Sequence, residues 1–400
     1  MEAVLLGLGL ALLPVYTFES GSVQFSHIIL TLFIAIRFSY RNHTLTKASI
    51  FLILLTILSF TVESLAVIIG AASYASFLEP TYLLYNSMIL IAFSHIPLDQ
   101  KRFRVAIITS LIVAASIAAV YGLAYGSVQR VSGGGYERTG GAFNNPNQLG
   151  FFGVCVASIA ALMYMRDLIS RKLCVLMWVM SLLIVLISVS RSSAAAIAFL
   201  LIFGMGAVLN KKRLSPVVFV AALAGVGTLF VAFQLGLLDQ LQSVARLQQT
   251  GSSQYDSLSM RGYSIPFHNP LEFMFGVGSE KALVGTFFTR IEVHSTWWSF
   301  MGKYGLLGFG LFVAVWLIWS RLIYKELGLL GLLIVVVPAS INGITGNYSR
   351  FTALWILVGL PLNRSLWAAR QATPDDRMLQ PRRPFVPPPR YSQGIVPGNG

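Results

Sequence analysis

The feature that most constrains this chain is the spacing of its uncharged stretches. Twelve times it runs through about the ~20 apolar residues that a helix needs to cross a bilayer before a charged or turn-forming break. The runs are 2–17, 23–40, 46–72, 77–95, 105–125, 147–165, 173–190, 192–209, 215–238, 294–319, 327–344 and 350–366. A chain of 400 residues that is 56% hydrophobic and only 11% charged lacks the polar surface of a soluble globule, in which about a quarter of residues are charged. The expected fold class is an all-α polytopic membrane protein with about 12 transmembrane helices. The first run is the shortest, but it lacks the basic start and small-residue cleavage site of a signal peptide and reads as a helix. Cys155 and Cys174 both lie inside apolar runs, which excludes a disulfide framework and a cysteine-ligated zinc site.

Orientation follows from where lysine and arginine fall. A net charge of +14 would suggest nucleic acid in a soluble protein, but here its placement decides. With the N-terminus cytoplasmic, 20 of the 29 basic residues occupy inner segments, among them Arg37, Arg41, Lys101, Arg102, Arg104, Arg171, Lys172, Lys211, Lys212 and Arg213. Only six of the 15 acids join them, so the outer segments balance to zero and the whole excess faces the cytoplasm. Both termini are then cytoplasmic, and membrane lipids rather than nucleic acid are the expected partners.

Two outer connections are far longer than the rest. The stretch 126–146 is rich in Gly, Ser and Asn, and 239–293, between the ninth and tenth runs, has about 55 residues. Loops beyond ~15 residues are usually functional or disordered. Tyr255, Tyr263, Phe267, Phe273 and Phe275 predict that the longer one folds, with short helices capping the bundle. Residues 1–370, both loops included, therefore form one transmembrane domain, and 371–400, rich in Pro, Gly and Arg, form a disordered cytoplasmic tail suited to anionic lipid.

Ionisable groups against a membrane are expensive, which makes them functional candidates. Arg191, in Ser-Val-Ser-Arg-Ser-Ser, sits in a hairpin tip with almost no loop. Its flanking runs span only roughly 27 Å, so the guanidinium lies at the outer interface. It either snorkels to headgroups or clamps a phosphate, which suits a planar, always-charged fork. His294 opens the tenth run beside Trp297 and Trp298, a placement that suits a general base, with Glu292 two residues earlier to orient it; His268 competes but sits in a turn-like Phe-His-Asn-Pro. Arg246, Arg261 and Arg290 are cations of the long loop. In Arg138 to Gly150, Asn145 and Pro146 read as a helix cap and first helical residue, and Asn144, Asn147 and Gln148 add amides suited to sugar hydroxyls. Glu63 is expected to pair with a neighbouring helix or a basic group, and Trp316, Trp319 and Trp367 to anchor the cytoplasmic interface.

Taken in order, these stretches resemble the O-antigen ligase and polymerase superfamily of bacterial envelope enzymes. The matching features are Gly-Ala-Phe-Asn-Asn-Pro-Asn-Gln-Leu-Gly from Gly141, Ser-Arg-Ser around Arg191, and Arg261 ahead of Asn-Pro-Leu-Glu-Phe-Met-Phe-Gly-Val-Gly from Asn269. His294 with Ser295, followed by Lys-Tyr-Gly-Leu-Leu-Gly from Lys303, completes the set. Ser295 stands where many relatives have Asn.

The resemblance implies a metal-independent, cofactor-free glycosyltransferase with a glycosyltransferase-C-like membrane fold in the bacterial inner membrane. Its donor is a glycan on undecaprenyl pyrophosphate, and the site faces the periplasm. His294, Arg191 and Arg261 are the implied catalytic residues. Arg138, Asn144, Asn147, Gln148, Arg246, Arg290 and Lys303 are the expected substrate-binding residues. Taking lipid A-core as acceptor makes the chain an O-antigen ligase; a glycan polymerase and a protein O-oligosaccharyltransferase share the chemistry. A transporter is the competing class, but no internal repeat is visible and the candidate groups cluster at one face.

Overall fold

The structure, a computed structural model, describes residues 1–18, 22–40, 44–124, 128–130, 137–143, 145–209, 267, 269–281 and 293–368. The ninth run, 215–238, and the tail lie outside these residues. Within them the protein is helical apart from one short hairpin. Strands β1 (Val128–Arg130) and β2 (Glu137–Thr139) pair antiparallel, with Val128 opposite Thr139 and Arg130 opposite Glu137.

The chain opens with α1 (Glu2–Ala11), α2 (Phe25–Tyr40), α3 (Lys47–Ile68), α4 (Leu78–Ser94) and α5 (Lys101–Ala124). After the β-hairpin come α6 (Pro146–Met165), α7 (Arg171–Ser188) and α8 (Arg191–Leu209). The later part holds the short helices α9 (Pro270–Phe275) and α10 (Gly278–Lys281), then α11 (Thr296–Gly331), a π turn (Leu332–Val336) and α12 (Val337–Thr345). It closes with α13 (Thr352–Gly359) and α14 (Arg364–Ala368). Among the described residues, α3, α5, α6, α7 and the path Thr296–Thr345 are long and apolar enough to cross a bilayer. With Ile57, Ile68, Leu123, Val179 and Leu317 turned outward, they mark a membrane-embedded protein.

Thr296–Thr345 breaks twice. Gly305 takes φ +63° inside α11, and Trp297 and Phe300 lie against Phe312, so the short limb before Gly305 folds back on the limb after it. Gly328 takes φ +66°, a left-handed conformation that glycine adopts without a Cβ penalty, and the chain reverses there. Trp316 Nε1 donates to Ser340 Oγ at 3.2 Å, so the limbs on either side of Gly328 run antiparallel, and the Thr296 N–H donates to the Gly346 carbonyl at 2.9 Å, which ties the first short limb to the end of the last. The run 294–319 is thus broken at Gly305, and the run 327–344 is the limb after Gly328. The last run, 350–366, is broken into α13, a 3-10 turn at Leu360–Leu362 and α14. The first run yields a helix only to Ala11, because Pro14 and a following polar turn end it.

Helix α6 is the centre of the bundle. It carries no charge, and 89% of its apolar window is buried against α7, α8, α13 and the π turn. A helix apolar on every side belongs inside. Around it, alternating helix directions give the bundle two distinct ends. At the basic end Arg37 pairs with Glu2 at 3.0 Å and donates to the His95 carbonyl. There too Arg166 donates to the carbonyls of Leu366 and Trp367, and its guanidinium stacks on the Trp367 ring at 4.7 Å. The opposite, hairpin end carries β1 and β2 and the start of α6.

Two tryptophans depart from the expected interface role. Trp319 is fully buried and Trp316 nearly so, their rings 4.9 Å apart, edge to face. They lie on the face of α11 that packs in the bundle, with Trp297 edge-on and Phe312 tilted against Trp316, so they fill the core instead of anchoring a surface.

Candidate functional site

At the hairpin end a polar cavity of about 150 Å³ opens between the start of α6 and the loop 346–350. It is lined by Asn145, Asn147 and Gln148, by His294, Asn347 and Arg350, and by Tyr16, His27 and Tyr82. At ~30 Å³ per water this is room for about five waters, the scale of a small polar head group.

Each wall has a local cause. Asn145 Oδ1 accepts the Asn147 N–H at 2.9 Å and Pro146 takes the first helical position, so α6 starts at the cavity edge as its sequence predicts. Ser295, not His294, opens α11: its hydroxyl accepts the Trp298 N–H at 3.2 Å. A hydroxyl satisfies an orphan helix amide at the cap, and this leaves His294 one residue outside the helix, exposed to the cavity. The loop 346–350 is held from three sides. Thr296 Oγ1 donates to the Gly346 carbonyl and accepts the Tyr348 N–H, both at 2.9 Å. The Tyr348 hydroxyl donates to the Asn147 carbonyl at 3.3 Å, and Asn86 and Trp355 both donate to the Ser349 carbonyl.

Arg350 continues into an ion cluster. Its Nε lies 3.5 Å from Glu79 Oε2, while Glu79 Oε1 lies 3.2 Å from Lys303 Nζ and accepts from Ser349 Oγ at 2.9 Å. Glu79 and Lys303 are 5% and 3% exposed, Arg350 31%. Lys303, expected at the substrate, is therefore buried against Glu79 and does not line the cavity. The reason is that α11 packs against α3 beside α4, which brings Lys303 to a carboxylate inside the bundle. Glu63 meets its expectation of a neighbouring partner through the Ser279 N–H of α10, at 2.8 Å.

The turn carrying Arg191 adjoins this scaffold. Only Val189 and Ser190 separate α7 from α8, and Val189 takes φ +49°, a conformation that a β-branched residue rarely adopts. Arg191 becomes the half-buried first residue of α8, where its charge opposes the helix dipole and an anion would be favoured by both. It is not a lining residue of the cavity. Its helix is nevertheless tied to it: Ser193 Oγ donates to Asn342 Oδ1 at 2.8 Å, and α12, which carries Asn342, ends at the cavity residue Gly346.

No protein-family model matches this chain, and no curated protein matches it.

What the site can do therefore follows from its geometry. Of the residues chosen from sequence, Asn147, Gln148 and His294 share one cavity, with Arg191 in the adjoining turn and Arg138 in β2. Asn144, Arg246, Arg261, Arg290, His268 and Glu292 lie outside the described residues. Sequence reasoning missed His27, Tyr16, Tyr82, Asn347 and Arg350. Arg350, ending Gly-Asn-Tyr-Ser-Arg, is like Arg191 a cation in a tight turn between apolar runs. His27 Nδ1 accepts the Gln24 N–H at 3.1 Å, so in the neutral ring Nε2 carries the proton. A second, apolar cavity of about 390 Å³ lies between α2 and α4, lined by Val23, Ile28, Leu32, Leu84 and Met88; His27 and Tyr82 line both. The arrangement joins an imidazole, an arginine and amides to a hydrocarbon-lined groove.

Proposed function

We propose that this protein is an O-antigen ligase, a membrane glycosyltransferase that moves a glycan from undecaprenyl pyrophosphate to a sugar hydroxyl of lipid A-core. The supporting observation is the single cavity in which His294 meets Asn147 and Gln148 across about 150 residues of chain, beside an apolar groove. In this reading the acceptor oxygen attacks the anomeric carbon and loses its proton to His294, while the anomeric bond to pyrophosphate breaks with inversion. Arg191 and Arg261 stabilise the charge that builds on the leaving pyrophosphate, Asn147 and Gln148 hold sugar hydroxyls, and the polyprenyl chain lies in the α2–α4 groove. The bundle is of glycosyltransferase-C-like type with about twelve spans, in the bacterial inner membrane. Its basic end faces the cytoplasm and the cavity faces the periplasm.

Purified protein mixed with lipid-linked glycan and core acceptor tests the assignment. Wild type is expected to extend the core, and His294→Ala and Arg191→Ala to lose that activity; normal transfer by either variant would overturn it. In a deletion strain, lost O-antigen with intact lipid-linked polymer marks a ligase, whereas single repeat units on core mark a polymerase.

A further inference from the structure

The cavity holds a cation that the mechanism above leaves unused. Arg350 reaches it from the loop 346–350, and three features decide what it suits. Glu79, from the first turn of α4, meets the guanidinium at Nε, which fixes the direction of the side chain. The loop itself is fastened to α11, α6 and α4 through Thr296, Asn147 and Asn86, so the guanidinium is held in place without a ligand. The same cavity is lined by the side-chain amides of Asn147 and Gln148, at the opening turn of α6. A fixed arginine and two side-chain amides lining one small polar cavity have the composition of a phosphate seat. The planar fork matches paired phosphate oxygens, and preorganisation spares the ordering that binding would otherwise require.

We propose that Arg350 binds the diphosphate of the lipid-linked donor and that Glu79 is its positioning residue. The assignment to the donor rests on the function proposed above; the anion seat does not.

Inorganic pyrophosphate titrated into the full-length protein in detergent micelles, followed by calorimetry, tests the seat without requiring transfer. Wild type binds; Arg350→Ala is expected to weaken binding about ten- to hundredfold, the worth of one charge-assisted pair. Arg350→Lys keeps the charge without the fork and recovers part of the loss, and Glu79→Gln, which leaves the fork unfixed, weakens binding by a smaller factor. No binding by wild type, or Arg350→Ala within about twofold of it, overturns the seat. If Arg350→Ala elutes as an aggregate, Arg350→Lys decides by the same threshold. Transfer kinetics of Arg350→Lys form the second arm: a raised donor KM with an unchanged acceptor KM supports the donor assignment, and a rise confined to the acceptor overturns it. Pyrophosphate binding that depends on Arg350 in a protein with no transferase activity would sink the proposed function and leave the seat standing. Active transfer with pyrophosphate binding indifferent to Arg350 would sink the seat alone.

Discussion

Glu79 is where stability and site meet, and removing its carboxylate has a calculable consequence. In Glu79→Ala, Lys303 stays 3% exposed but loses the oxygen 3.2 Å away, while Ser349 Oγ loses its acceptor and Arg350 its anchor. Removing one partner of a buried pair destabilises by about 3–5 kcal/mol, because the remaining charge was desolvated on folding and keeps that penalty. Glu79→Gln still offers an oxygen to Ser349 and is expected to lose about 1 kcal/mol less, the net worth of one hydrogen bond. The reverse change is gentler: Lys303→Met leaves Glu79 in contact with Arg350 and Ser349 and fills similar volume, at about 1–2 kcal/mol. The double variant Glu79→Gln with Lys303→Met removes both charges and should recover most of the loss, since a neutral replacement of a buried pair is often harmless. Reversible unfolding in mixed detergent micelles, followed by helicity, measures all four proteins. Glu79→Ala within about 1 kcal/mol of wild type, or a double variant no more stable than Glu79→Gln alone, would refute the reasoning.

Two glycines give further tests. Gly276 takes φ +86°, and a Cβ there would stand 2.2 Å from the Lys303 carbonyl oxygen, so Gly276→Ala should undock α9 and α10 from α11. The reporter is the Val277 amide, bonded to the Gly302 carbonyl at 3.1 Å: its hydrogen exchange should accelerate while the α6 amides stay protected, and unchanged exchange would contradict the packing. At Gly150 a Cβ would meet Ser188 Oγ at 2.6 Å and Ser193 Oγ at 2.7 Å, wedging α6 from the turn that carries Arg191. Gly150→Ala should cost about 1–3 kcal/mol in the same unfolding assay and reduce transfer more than Gly310→Ala, whose Cβ meets nothing within 4 Å; equal activity in the two would rule out this coupling.

The helices are legible in the sequence because a long apolar run has one stable outcome in hydrocarbon: its backbone groups must bond to one another. Helix ends are legible where a cap is chemically singular, as at Asn145 before Pro146, and misread by one residue where His294 and Ser295 compete for the cap. Trp316 and Trp319 are misread because an indole near a run's end serves an interface or a core equally well, and only the face it occupies on α11 decides. The ion cluster is hidden for a different reason. Glu79, Lys303 and Arg350 all belong to the charges expected on the outer side, which sum to zero, and a sum carries no information about which charges cancel each other. Ser349 and Glu79 stand 270 residues apart in the chain, so their contact exists only through the packing of helices between them. Burial then separates two kinds of cancellation. Glu79 and Lys303 neutralise each other out of water, while Arg350, about a third exposed on the same carboxylate, keeps its charge where the cavity can use it. The net charge expected to orient the chain and the cation that lines its cavity are thus read from different quantities, the first from counting and the second from local dielectric.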